Sequence, residues 1–386
     1  MRIGIVSETW PPEINGVALT VHGLATGLAL RGHRIDLVRP RQPQAADGET
    51  GIEELHTRGV GMPHYPGVRI GLPAAHRLRR HWRRRRPEVV YIATEGPLGW
   101  SALRVARNLG IPVASGFHTR FDHYARDYGL AWAAPLVDAY LRHFHRRASA
   151  TLVPTTALAR ELDELGIHNA RLLRRAVDTR QFHPDRRDPA LRVGWGVDDD
   201  TPVAIYVGRI AVEKNLSLAL QAFAAMRQQV PAARYVWVGD GPERAALQAA
   251  HPDFIFVGMQ RGAALARHYA SADLFPFPSL SETFGNVILE AMASGLAVVA
   301  YDRGAAHEHL RDGIHGYRVA TGDADRFVAA AAQLARHAPD LRRMGRAARA
   351  EMETLSPDAV VREFEALLLD LTRESIHARD TLPARL

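Results

Sequence analysis

The sequence predicts an α/β protein built from two doubly wound, mostly parallel-sheet domains, and three observations carry that prediction. Short apolar runs alternate with longer segments of helical periodicity. The alternation restarts midway along the chain. The 386 residues are enough for about two domains of ordinary size.

In the first half, residues 3–7 read as a strand, and residues 21–30 have helical spacing that stops at Arg31-Gly32. Strand-like runs follow at 34–38, 89–92, 112–115 and 151–153. In the second half they recur at 203–207, 235–238, 254–257, 274–277 and 297–300. Between the halves, residues 178–200 are rich in Asp, Arg and Pro and read as a linker with a short helix. The domain boundaries expected are 1–185 for the first domain and 186–356 for the second. Residues 357–386 form a crossover helix and tail, with Val360, Val361, Phe364, Leu367, Leu368 and Leu371 at helical spacing and a poorly ordered end from residue 373. Two such domains place a cleft between two sets of strand C-terminal ends, where doubly wound folds bind ligands.

Composition narrows the chemistry. Hydrophobic residues make up 47% and charged residues 24%, an ordinary globular balance. With no cysteine, disulfides, thiolate metal sites, Fe–S clusters and a cysteine nucleophile are excluded. No apolar run reaches about 18 residues, and residues 2–7 read as a strand instead of a signal peptide, so the expected location is cytoplasmic. The net charge is +7, and of the 49 basic residues every one except Lys214 is arginine. Codon bias explains the arginines; it does not explain where the one lysine stands.

Three motifs carry chemistry. The first strand-to-helix turn holds Pro11-Pro12-Glu13-Ile14-Asn15-Gly16-Val17, which lacks the G-x-G-x-x-G spacing of nicotinamide binders. Gly16 beside a helix N-terminus lets backbone approach a ligand, while a plain turn glycine is the simpler reading. The second half opens with Gly208-Arg209 at the end of a strand and Lys214 at a helix start. Two cations with helix amides suit a diphosphate, arginine as a planar fork and lysine as a compact mobile charge. The third motif runs from Ser281 to Gly295 and sets Glu282 in a loop and Glu290 about one turn into a helix that begins near Gly285 or Asn286. A carboxylate among Leu289, Ala291 and Met292 is costly to bury alone. Two adjacent ribose hydroxyls would satisfy it, as would a structural salt bridge. Phe284, Gly285 and Asn286 offer N–H groups to phosphate or sugar oxygens.

Together with Gly239-Asp240-Gly241-Pro242 and Arg311-Asp312-Gly313-Ile314-His315-Gly316, these motifs resemble the retaining glycosyltransferases of family 4, over roughly residues 1–371. The N-terminal stretches from Ser7 to Val17 and from Gly116 to Tyr124, with Val177-Asp178-Thr179 and Phe182-His183-Pro184, resemble its GDP-mannose-dependent α-mannosyltransferase branch. The resemblance implies the GT-B fold, with two Rossmann-like domains facing a central cleft and a C-terminal helix crossing back to the first. It implies that Arg209 and Lys214 hold and stabilise the donor diphosphate and that Glu290 binds ribose. Glu282, with the Gly285 and Asn286 amides, would hold the transferred sugar and the phosphate region, and His118 would touch sugar hydroxyls. Gly16 would face the diphosphate from the other domain, with Gly208 and Phe284 completing the donor site. Trp10, Asn15, Arg120, Asp122 and Tyr124 would contact the acceptor. Two positions depart from the pattern: Ala176 replaces a glycine before Val-Asp, and Gly304-Ala305-Ala306 replaces a Gly-Gly run.

The activity implied is retaining, metal-independent transfer of a hexose, mannose from GDP-mannose in the first place, to a lipid or glycan hydroxyl. The nucleotide-sugar is a co-substrate and no cofactor is expected. The leaving diphosphate takes the acceptor's proton, so no carboxylate nucleophile is required. The Asp198-Asp199-Asp200 and Asp323-Ala324-Asp325 strings read as solvated turns. Alternatives are a UDP-sugar transferase for glucose or glucuronate acting on a membrane glycolipid, a nucleotide-sugar epimerase of the same fold, and a non-catalytic basic surface-binding protein. The densest basic run, His76 to Arg86, reads as a solvated helix face or as an anionic-membrane surface through Arg77 to Arg86, with Leu78 and Trp82 as apolar contacts. No nucleic-acid module accompanies it.

Overall fold

The computed structural model describes residues 1–13, 16–42, 50–62, 65–117, 134–280 and 284–380. The chain divides into two units, residues 1–176 together with 357–386, and residues 177–356.

The first unit has a parallel sheet of seven strands: β1 (Arg2–Val6), β2 (Arg34–Pro40), β3 (Ile52–Thr57), then β6 (Val89–Ile92), β7 (Val113–Gly116), β8 (Ala150–Val153) and β9 (Ala170–Leu172). A separate antiparallel pair, β4 (Gly59–Met62) and β5 (Tyr65–Gly71), lies between β3 and β6 in sequence. The order in the large sheet is β3-β2-β1-β6-β7-β8-β9. Strands β1, β6, β7 and β8 are buried along nearly their whole length, as expected of a parallel sheet covered on both faces. Strands β3, β4, β5 and β9 lie outside the strands read from sequence. The polar content of Ile52–Thr57 hides β3, and the shortness of Ala170–Leu172 hides β9, from an apolar-run criterion.

The second unit repeats the plan with β10 (Val203–Val207), β11 (Arg234–Val238), β12 (Ile255–Gly258), β13 (Leu274–Phe277), β14 (Ala297–Tyr301) and β15 (Gly316–Val319), ordered β12-β11-β10-β13-β14-β15. Two apolar clusters cover its faces: one holds Ile205, Phe275 and Met292, the other Tyr206, Trp237 and Phe327.

Three sequence readings change. The expected boundary at 185/186 moves to 176/177, because Val177, Phe182, Trp195 and Val197 are buried in the core of the second unit. The expected linker is therefore packed structure, tied by Arg349, whose guanidinium donates to the carbonyls of Thr179, Phe182 and Ala293 at 2.9–3.1 Å. The last helix runs Pro357–Asp380, well past the tail expected from residue 373, and buries Val360, Val361, Phe364, Leu368 and Leu371 against the first unit's sheet and the helix Gly16–Leu30. Ion pairs from Arg31, His33 and Arg174 to Glu365 and Glu363 add to that seam.

The basic helix Ala75–Arg84 corrects a third reading. Leu78 and Trp82 are fully buried against Val90 and Leu103, so neither is available as an apolar contact for a membrane. What the helix exposes is arginine. Among the described residues, no helix is long and apolar enough to cross a membrane.

Candidate active site

In each sheet the chain winds outward in one direction, then returns to the other side of its first strand. That reversal lies between β1 and β6 in the first unit and between β10 and β13 in the second. Parallel sheets open a ligand-binding crevice at such a switch point, beyond the strands' C-terminal ends.

In the second unit, the loop after β10 is Gly208 to Asn215. Its base is compressed: Gly239, at the end of β11, has φ +139, and a Cβ there would meet the Gly208 carbonyl oxygen at 1.9 Å. Only glycine lets these two strand ends lie so close. The Tyr206 hydroxyl donates to the Arg209 carbonyl at 2.8 Å while its ring stacks on Trp237 at 4.5 Å. The Arg209 backbone is thus fixed, and its side chain is 58% exposed with Glu213 at 3.5 Å. An ion pair that wet is weak and easily exchanged for a stronger anion. Lys214 ends a single 3₁₀ turn, Val212–Lys214, and Asn215 follows in the left-handed region at φ 55. Asparagine tolerates that conformation, and its side-chain amide donates to the Pro278 carbonyl at 3.3 Å, joining the loop to the end of β13. The helix Leu216–Gln229 begins at once.

After β13, Gly285 at φ 92 precedes the helix Asn286–Ala293. Asn286 and Glu290 are four residues apart and share one face. Phe284 is buried, and its carbonyl accepts from the Ala305 N–H at 2.7 Å. Gly304 makes that approach possible: it has φ +54, and a Cβ would meet the Phe284 oxygen at 2.3 Å. The departure at Ala305 and Ala306 therefore spares the one glycine the backbone needs.

Among the described residues, Glu290 takes one hydrogen bond, from the Tyr269 hydroxyl to Oε2 at 3.1 Å. Burial lifts its carboxyl from 4.5 to about 7, against the pull of that hydrogen bond. The structural salt bridge considered for Glu290 is not formed with any described residue; a neutral tyrosine stands there instead.

In the first unit, Gly16 opens the helix Gly16–Leu30 after β1. Trp10 is 4% exposed and packs edge-on against His22, with its ring in the core. Its indole is thus spent on packing. The Trp10 carbonyl accepts from the Gln42 amide at 2.8 Å, which also donates to Glu13 at 2.8 Å. Glu8 follows β1 and Glu95 follows β6, so both stand at the switch point. The Glu8 carboxylate accepts from the N–H groups of Gly71 and Leu98 at 3.1 Å each and from that of Gly99, and burial raises it to about 7. Glu95 is buried with His145 Nε2 at 3.3 Å, and His145 Nδ1 meets Ser115 Oγ at 3.0 Å.

The loops after β10 and β13 therefore bring Gly208, Arg209, Lys214, Phe284, Gly285, Asn286 and Glu290 to one switch point. Glu282, His118, Asn15, Arg120, Asp122 and Tyr124 lie outside the described residues. Sequence reasoning missed Tyr269, Glu8, Glu95 and His145. Tyr269 sits in the helix Gly262–Ser271 with no motif around it, and only a helix-register argument would have turned it inward. The two aspartate strings serve the fold: Asp198 accepts from the Asp200 and Thr201 N–H groups, Asp200 pairs with Arg342, and Asp323 caps the helix Ala324–Ala335.

A family model described as "Glycosyltransferase Family 4" matches residues 14–181, and one described as "Glycosyl transferases group 1" matches residues 201–337. The chain is 36% identical over 316 residues to a "GDP-mannose-dependent alpha-mannosyltransferase" from Mycobacterium tuberculosis, covering 80% of this chain and 81% of that one. It is 28% identical to an "Alpha-monoglucosyldiacylglycerol synthase" from Acholeplasma laidlawii, covering 82% and 84%. Among solved structures, a sucrose-phosphate synthase from Thermosynechococcus elongatus superposes with TM-score 0.76 at 18% identity, covering 97% of this chain and 99% of that one.

Proposed function

The chain belongs to glycosyltransferase family 4, a hexosyltransferase of the GT-B fold, and on that premise we propose that it moves mannose from GDP-mannose, with retention and without a metal, to a hydroxyl of a lipid or glycan acceptor. The observation that carries the proposal is the crevice after β10 and β13. There an exposed arginine, a lysine at a helix start and, on the helix after β13, a carboxylate with acceptor sites that no described residue takes share one switch point. GDP-mannose is favoured over UDP-glucose, UDP-glucuronate and ADP-glucose by the 36% identical relative.

In this reading the reaction turns on the departing diphosphate. Arg209 and Lys214 neutralise charge as the glycosidic C–O bond to phosphate breaks, and the diphosphate oxygen takes the acceptor hydroxyl's proton as the new bond forms on the same face. Glu290 takes hydrogen bonds from ribose, and the start of the helix Asn286–Ala293 offers N–H groups to phosphate oxygens. Gly16 serves the diphosphate, while Glu282 and His118 serve the transferred sugar. Donor hydrolysis profiled across the four nucleotide-sugars tests this directly: GDP-mannose turns over fastest, and equal or faster use of a UDP- or ADP-sugar overturns the donor assignment.

A lipid acceptor would bring the enzyme to a membrane surface, and the arginines exposed along Ala75–Arg84 and at Arg85 and Arg86 supply a purely electrostatic contact. Flotation with anionic vesicles tests it. Binding is to weaken when Arg83 to Arg86 are reversed and to vanish at high salt; flotation unaffected by the reversal ends the idea.

A further inference from the structure

We propose that Tyr269 is a positioning residue for donor binding: its hydroxyl occupies one acceptor site of the Glu290 carboxylate and fixes that side chain so that its remaining sites are kept for the ribose diol. The inference rests on the reading of Glu290 as the ribose ligand.

The geometry is one of a donor with no freedom. Tyr269 is fully buried, its ring edge-on to Phe182 at 5.8 Å and 84° and to Phe275 at 6.0 Å and 62°. The ring is boxed in, and the hydroxyl reaches Glu290 Oε2 at 3.1 Å, with the Val287 carbonyl at 3.5 Å as a second, weaker acceptor. Val287 lies one turn before Glu290, so a single hydroxyl spans the helix turn that carries the carboxylate. Burial and the neighbouring carboxylate hold the phenol far above its ordinary ionisation, so it stays a donor.

A carboxylate has about four acceptor sites. Tyr269 takes one, and a cis-diol presents two donors, which the remaining sites accommodate. An untethered glutamate would have to give up side-chain rotamer freedom when the ribose arrived. Here that ordering is done before binding. Tyr269 also opposes the desolvation that protonates Glu290, and only the carboxylate form accepts both ribose hydroxyls.

The test compares wild type, Tyr269→Phe and Glu290→Gln by calorimetry with GDP, 2′-deoxy-GDP and 3′-deoxy-GDP, with GDP repeated from pH 6 to 9. Wild type is expected to lose about tenfold in affinity when either hydroxyl is removed, the cost of leaving a charged acceptor unpaired. Glu290→Gln abolishes most of that preference. Tyr269→Phe keeps its melting temperature within a few degrees and keeps diphosphate affinity. Its preference for the ribose hydroxyls falls, the pH midpoint of GDP binding moves upward, and the donor KM rises with kcat little changed. The preference is a ratio measured on folded molecules, so a modest loss of stability does not mask it. Wild-type preference and midpoint in Tyr269→Phe overturn the positioning role while leaving Glu290 as the ribose ligand. If Glu290→Gln discriminates as wild type does, the ribose reading fails and the role of Tyr269 with it.

Discussion

Glu290 in the second unit and Glu8 in the first look alike: each stands beside a switch point, and burial raises each to about 7. Their partners differ. Glu8 is claimed by the backbone N–H groups of Gly71, Leu98 and Gly99, so it clips β5 to the start of the helix Pro97–Asn108, whose own cap, Gly96, has no side chain to offer. Among the described residues, Glu290 has one tyrosine hydroxyl. A raised carboxyl with its acceptor sites filled is a structural clip, and one with sites to spare is a ligand-binding group. The pKa alone does not separate them; the hydrogen-bond count does.

The largest expected effect separates them by kinetics. Glu290→Ala removes charge-assisted hydrogen bonds to the donor, each worth about 1.5–3 kcal/mol, so kcat/KM should fall about 100-fold with the fold intact. Glu8→Ala should lower the melting temperature by several degrees while the folded fraction keeps kcat/KM within about threefold. Steady-state kinetics beside thermal melts check both, and a kinetic collapse in Glu8→Ala with unchanged stability would invert the comparison.

Next in size is Lys214→Arg, which keeps the charge beside the crevice but replaces a compact ammonium with a planar fork on a longer stem. Turnover is expected to fall by about tenfold with the melting temperature unchanged. Wild-type turnover refutes the leaving-group role for this lysine. A comparable loss of stability instead would move Lys214 from the Glu290 class to the Glu8 class.

Much of this was legible in the sequence, for reasons that particular residues make plain. Apolar runs such as Val203–Val207 announce buried parallel strands, and Gly208, Arg209, Lys214 and Glu290 fall on loops and a helix that the alternation of strands and helices already places. What stayed hidden depends on contacts distant in sequence. Glu8 meets Gly71 and Leu98, 63 and 90 residues away, and Tyr269 meets Glu290 across 21 residues. Trp82 and Leu78 read as exposed among arginines, because composition cannot say which face of a short basic helix turns inward. Gly304 reads in sequence only as part of a run that departs from the family pattern, and its approach to Phe284 shows it to be a packing requirement.

A smaller effect tests the clip from its other side. A Cβ on Gly96 would lie 2.2 Å from Glu8 Oε1, so Gly96→Ala must push the carboxylate off the helix start. The cost expected is about 1–3 kcal/mol, the penalty for buried donors left unpaired, seen as a lower denaturant midpoint. A Glu8→Gln, Gly96→Ala double variant should be no worse than additive, since both disturb one network. If Gly96→Ala is neutral, the carboxylate has room to spare and the clip is looser than its three donors suggest.

The smallest effect is a slope. In the unfolded chain both carboxyls lose their protons near 4.5; in the fold they keep them up to about 7. Between those values the native state binds more protons, so stability falls as pH rises from about 4.5 to 7 and levels off above. Each group contributes on the order of 1–2 kcal/mol after allowing for partial exposure, or a few degrees in melting temperature. GDP should act on one group only. By engaging the Glu290 carboxylate it favours the ionised form, so saturating nucleotide flattens the slope of the second unit and leaves that of the first, where the Gly71 and Leu98 N–H groups already engage Glu8. Glu290→Gln should remove the same part of the slope without nucleotide. Melts across pH 5 to 8, with and without GDP, decide it: flattening of both parts by GDP, or of neither, breaks the distinction between a carboxylate that holds the fold and one that waits for a ligand.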